Sequence, residues 1–255
     1  MKHIPNIFTL LNLFLGAVAI TLALQTESII IYTNDEFTSS FNVPEKIALA
    51  ALLLYAAAVV DFLDGFVARL FKATSELGKQ LDSLADVVSF GVAPAVILYQ
   101  LLRLSFIREE NGLDVSIVWL LPAFILACAS AYRLGKFNLD ESQQYGFKGV
   151  PTPAVGLLVA SFPLVLHYGS GFINVSEILI NKWFLYALIL ILSWLMVSNI
   201  PMLSLKFKSY QVKDNYPKLV LAGVAIVSAI LFGWLAVPLV FITYIVLSLL
   251  LKNQA

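Results

Sequence analysis

Long apolar runs, broken by short polar ones, dominate the chain. A membrane-crossing helix needs about 20 mostly apolar residues. Candidate stretches are 8–24, 47–71, 81–102, 116–134, 153–168 and 183–200, followed by a tight helical hairpin over about 218–252 that turns near 233–238. The second stretch turns polar over its last third, and the third is polar over its first third, so polar groups gather where these two meet. Short alternating segments, the mark of a membrane barrel, are absent from the pattern. The expectation is an all-α polytopic membrane bundle of about eight transmembrane helices. The first run follows only Lys2, lacks a small-residue cleavage pattern, and is expected to remain as a helix.

Composition agrees. Of 255 residues, 60% are hydrophobic and 13% charged, and the mean hydropathy is +0.89. Soluble domains run near 45–50% apolar and about 25% charged, so a soluble enzyme, a disordered chain and a coiled coil are excluded. A net charge of zero gives no reason to expect nucleic acid as a partner. The single Cys128 excludes an intrachain disulfide. With the N-terminus in the cytoplasm, twelve Lys and Arg fall on that side: Lys2, Arg69, Lys72, Lys79, Arg133, Lys136, Lys148, Lys206, Lys208, Lys213, Lys218 and Lys252. Four fall opposite: Lys46, Arg103, Arg108 and Lys182. That asymmetry predicts cytoplasmic N- and C-termini and an even number of spans. The outer loop 25–46 carries Glu27, Asp35, Glu36 and Glu45.

Ionisable groups inside spans are costly and mark function. Asp61 follows fourteen uninterrupted apolar residues, and four aspartates lie within 26 residues: Asp61, Asp64, Asp82 and Asp86. Helical spacing puts Asp61, Asp64, Gly65 and Ala68 on one face of the second span. It puts Gly78, Asp82 and Asp86 on one face of the third. A short turn folds these faces together, so four carboxylates confront each other near the cytoplasmic end. Protonation or a bound cation must offset their repulsion. All-oxygen donors favour hard cations such as Mg2+, Mn2+ or Ca2+, and paired ions of this kind stabilise displacement at phosphorus. The small residues leave room for a phosphorylated ligand, and Arg69 offers a two-pronged phosphate donor. These residues point to metal-dependent phosphoryl-type transfer at a membrane surface.

The pattern D-x2-D-G-x2-A-R-x8-G-x3-D-x3-D stands complete from Asp61 to Asp86. On it the chain resembles the CDP-alcohol phosphotransferases. Within them it is most similar to the membrane-integral phosphatidylserine synthases, over most of residues 3–155. The supporting segments are His3-Ile-Pro-Asn-Ile-Phe-Thr-Leu-Leu-Asn12, the run from Asp82 through Pro94, Arg133-Leu-Gly-Lys-Phe-Asn138 and Phe147-Lys-Gly-Val-Pro-Thr-Pro-Ala154. Gly135 and Lys136 depart from the Ala and Arg more usual in such proteins, and Val150 from the usual Leu.

The resemblance implies a single membrane-integral domain over 1–255, with a catalytic core of about 1–200 and the hairpin of about 218–252 appended. It implies two divalent cations, Mg2+ or Mn2+, with Asp61, Asp64 and Asp82 as ligands, Asp86 completing the second site and also serving as general base. CDP-diacylglycerol is the implied donor, met by Asn6, Thr9, Gly65, Ala68, Arg69, Ser75 and Gly78. L-serine is the implied acceptor. Its carboxylate needs a separate cation, for which Arg133 comes first and Lys136 and Lys148 next. A homodimer in a prokaryotic inner membrane, with its site facing the cytoplasm, is also implied.

Other acceptors fit the same chemistry. Arg133, Lys136 and Lys148 would suit glycerol 3-phosphate or an inositol phosphate, although the flanking segments are of the serine type. A cation transporter using the carboxylates would leave Arg69, Gly65 and Gly78 without a role, and the inverted repeats it would favour are not visible. His3 and His167 read as interfacial. Trp119, Tyr168, Trp183 and Trp234 read as belt anchors.

Overall fold

The computed structural model describes residues 4–33, 36–71, 75–107, 115–139, 147–169, 173, 175–203 and 212–251, with the backbone alone at 4, 27–33, 36–43, 147 and 212–214. Lys2, His3, Lys72, Arg108, Lys206, Lys208, Lys252 and Asp35 lie outside the described residues.

Apolar helices build the chain. They are α1 (Ile4–Leu24), α2 (Ile47–Leu70), α3 (Glu76–Asp86), α4 (Ala93–Ile107), α5 (Ile125–Leu139), α6 (Thr152–Tyr168), the four-residue α7 (Ser176–Leu179), α8 (Lys182–Val197), α9 (Val212–Phe232) and α10 (Ala236–Leu250). Among the described residues, five stretches are long and apolar enough to cross a membrane: Pro5–Leu24, Ile47–Leu70, Glu76–Ile107, Ile117–Leu139 and Asn215–Leu250. Thr152–Tyr168 and Lys182–Val197 are apolar but shorter. The last long stretch doubles back at Gly233 (φ +56°), so α9 packs along α10 as the expected hairpin. It begins at Val212, earlier than the apolar pattern implied. The outward faces carry large apolar side chains such as Phe62, Phe66, Ile191, Trp194, Ile226 and Ile230. Surface of that kind suits lipid and identifies an integral membrane protein.

The third rod starts at Glu76, before its apolar part, because Ser75 caps it: the Ser75 Oγ accepts the Gly78 N–H at 3.0 Å. Between α3 and α4 the helix widens into a π turn, Val87–Val92. Pro94 follows directly and has no N–H to return to Phe90, and the Ala93 N–H bonds back to the Val88 carbonyl. The turn is closely packed. A Cβ on Gly16 would overlap Ser89, and one on Gly156 would come within 3.0 Å of Phe90. α4 and α6 form the buried centre, α1 and α2 pack on one side of it, and α5 and α8 on the other.

Two short antiparallel ribbons complete the chain, and neither was expected. β1 (Glu27–Thr33) pairs with β2 (Glu36–Val43) in the acidic segment read as a loop, where Ile29-Ile-Ile-Tyr32 and Phe37 supply strand-forming residues. β3 (Phe147–Lys148) pairs with β4 (Pro201–Met202). Trp119, Tyr168 and Trp183 are exposed. Trp234 is partly buried and packs on Tyr55, with ring centroids 5.3 Å apart.

Candidate active site

Hydrogen bonds between helix ends define one pole of the bundle. The start of α1, the end of α2 and the start of α3 meet there, because alternating antiparallel rods bring every second terminus to the same side. The end of α5 joins them: Asn138 Nδ2 donates to Ser83 Oγ at 2.8 Å, and Lys79 Nζ to the Asn138 carbonyl at 3.5 Å. The end of α8 and the α10 terminus arrive through Asn199 and Ser248.

At this pole Asp61, Asp64 and Asp82 each place an oxygen within 4.8 Å of the others' oxygens. Asp64 is buried and accepts the Thr9 Oγ1 hydrogen bond at 2.8 Å. Asp86, also buried, stands beside this trio, linked to Asp61 by Asn12, whose Nδ2 lies 3.3 Å from Asp61 Oδ1 and 3.5 Å from Asp86 Oδ1. The oxygens are hard donors at a spacing that one or two small divalent ions would span, so the residues fit the implied metals.

Next to the carboxylates opens a cleft of about 560 Å³, lined by Pro5, Asn6, Thr9, Asp64, Gly65, Ala68, Arg69, Ser75, Glu76, Gly78, Lys79 and Asp82. All seven residues expected to meet the donor substrate line it. Gly65 leaves the approach to Arg69 open: a Cβ there would sit 3.7 Å from Nη1. Gly78 has a tighter reason. A Cβ there would come within 3.1 Å of Ser75 Oγ and 3.2 Å of Asn6 Oδ1, so a larger residue would have to push both side chains back by a few tenths of an ångström.

Arg133, Lys136 and Lys148 meet apart from that cleft, around a water-sized cavity of about 10 Å³ that Met196, Val197 and Ser198 close. Arg133 is 8% exposed. Its Nη1 donates to Thr152 Oγ1 at 3.4 Å, its Nε has no protein partner among the described residues, and Asp86 and Tyr244 lie within electrostatic reach. Lys136 Nζ donates to Asn199 Oδ1 at 2.8 Å. The sequence reading overlooked Asn12, Lys79, Glu76 and Tyr244. Asn12 left a signal, lying three residues after Thr9 on the same helix face, and so did Lys79, three residues before Asp82.

A carboxylate cluster, a cleft of about 560 Å³ beside it with Arg69 in its wall, and a lipid-facing exterior together fit a membrane-embedded transferase acting on phosphate esters. Residues 2–198 match the family described as CDP-alcohol phosphatidyltransferase, and the chain belongs to it. Among curated relatives, a Mycobacterium leprae protein named CDP-diacylglycerol–serine O-phosphatidyltransferase is 31% identical, over 96% of this chain and 73% of its own. A Helicobacter pylori protein of the same name is 34% identical over 77% of this chain and 70% of its own. For the Bacillus subtilis protein of that name the figures are 32%, 71% and 89%.

Proposed function

We propose that this enzyme makes a phospholipid: it transfers the phosphatidyl group of CDP-diacylglycerol to the hydroxyl of L-serine, yielding phosphatidylserine and CMP. The observation that carries the reading is the trio of Asp61, Asp64 and Asp82 opening onto the cleft that Arg69 and the glycines line. The names of the three relatives supply the serine.

In this reading Asn6, Thr9, Gly65, Ala68, Arg69, Ser75 and Gly78 hold the nucleotide and pyrophosphate. Asp61, Asp64, Asp82 and Asp86 hold two divalent ions, Mg2+ or Mn2+, which when bound neutralise charge at the phosphates. The serine oxygen attacks the phosphorus nearer the lipid, its proton passes to Asp86, and the bond to the CMP phosphate breaks with the electron pair leaving on CMP. Arg133 holds the serine carboxylate, assisted by Lys136 and Lys148.

The enzyme spans a prokaryotic inner membrane with eight helices, both termini and the site on the cytoplasmic side, as a homodimer. Residues 1–255 act as one domain, with the catalytic core over about 1–200. The excess of basic residues at the site pole supports that orientation. The test is purified protein with CDP-diacylglycerol, Mn2+ or Mg2+, and a panel of acceptors, scored for CMP release. Serine-dependent release is expected. Release with glycerol 3-phosphate but not serine overturns the acceptor and keeps the chemistry.

A further inference from the structure

Asn12 is fully buried, yet it is polar and sits among carboxylates. Its Nδ2 contacts, 3.3 Å to Asp61 and 3.5 Å to Asp86, join α2 to α3 through α1. The opposite amide orientation would turn a carbonyl oxygen toward two acceptors, so charge alone decides which end faces them. The backbone is held as well: the Asn12 carbonyl accepts from Ser89 Oγ at 3.0 Å, inside the π turn that begins immediately after Asp86. One turn onward, Gly16 rests directly on Ser89. Asn12 Oδ1 is buried with no partner among the described residues. A side chain kept only for packing would not carry that cost, so the two carboxylate contacts are what the amide is there to make.

We infer that Asn12 is a positioning residue that ties Asp61 to Asp86 and sets the carboxylate geometry met by the divalent cation and the acceptor hydroxyl. The inference rests on the proposed roles of Asp61 as ligand and Asp86 as base. The amide holds one oxygen of each carboxylate and so limits carboxylate rotation. Outer groups that orient metal ligands in this way typically matter by about 10–100-fold in affinity or rate.

The experiment uses the full chain in detergent, with Asn12→Leu, which keeps the volume and removes the donor, and Asn12→Ala as a second variant. Mn2+ binding is read from the electron paramagnetic resonance signal of free Mn2+ with CMP present, and turnover from CMP release. Folded variants are expected to keep the KM for CDP-diacylglycerol within about threefold, to need about tenfold more Mn2+ for half-saturation, and to lose about 10–100-fold in kcat, partly restored at high Mn2+. Unchanged Mn2+ binding in either folded variant overturns the inference, whether kcat is retained or lost. Wild-type protein that neither binds Mn2+ nor releases CMP would overturn the parent reading instead.

Discussion

Three carboxylates whose oxygens lie within 4.8 Å of one another repel unless protonation or a bound cation offsets their charge, and the proposed reading is the cation. Replacing Asp61, Asp64 or Asp82 with Asn should therefore abolish CMP release while the protein still elutes as folded, and EDTA should do the same reversibly. Full turnover in a metal-free preparation would sink the metal reading. Arg133 has a different signature. It is buried, and among the described residues it makes one weak hydrogen bond, at 3.4 Å to Thr152, and leaves Nε without a protein partner, so part of its donor set is open to a ligand. Arg133→Ala should raise the apparent KM for serine, with a loss of about 2–5 kcal/mol if a buried carboxylate is left alone. The KM for CDP-diacylglycerol should barely change. Arg133→Lys should rescue only in part, because a point charge does not reproduce a two-pronged contact.

At the scale of elements, the residues proposed to hold the acceptor depend on how the β3 strap docks. Gly149 adopts φ +72°, its N–H donates to the Ile200 carbonyl at 2.8 Å, and the Val150 N–H donates to the Leu195 carbonyl at 3.1 Å. These bonds satisfy carbonyls at the end of α8 and hold Lys148 against the small cavity. A Cβ at position 149 would strike the Met196 carbonyl. Gly149→Ala should cost about 1–3 kcal/mol from backbone strain alone, read as a lower melting temperature. It should also raise the KM for serine more than that for CDP-diacylglycerol, whose cleft lies elsewhere. Gly16 plays the matching part on the other side. Gly16→Val should push α1 off the π turn and carry Thr9 and Asn12 away from Asp64 and Asp61, lowering kcat beyond any loss of folded protein.

For the whole molecule, the alternation of rods sets a topology that can be read directly. The site pole gathers the described basic residues Arg69, Lys79, Arg133, Lys136 and Lys148, while Lys182 at the other pole lies over Phe106, 5.0 Å from the ring centroid. A reporter fused after Lys252 should read as cytoplasmic and one inserted near Thr33 as external. An external C-terminal reporter would mean an odd number of spans, and would place the turn at Gly233 within the membrane instead of at its far face.

By itself, the sequence determined the class and the chemistry of the cluster. Period 3.6 is a local property, so the spacing of Asp61 with Asp64, and of Gly78, Asp82 and Asp86, assigned each set to one helix face before any packing was known. Mean hydropathy and charge asymmetry are sums over residues and need no fold. Which helices meet is not local. Apolar faces in a bundle match many neighbours, and no spacing tells Asn12 that it will lie between Asp61 and Asp86, or Tyr244 that it will lie near Arg133. The β1–β2 ribbon and the π turn were likewise decided by backbone hydrogen bonding and by the missing N–H of Pro94 acting in a packed setting. Tertiary structure alone also separated the two groups of proposed site residues: packing α5 against α8 carries Arg133 and Lys136, and the β3–β4 pairing carries Lys148, to a cavity of their own, away from the cleft beside the carboxylates.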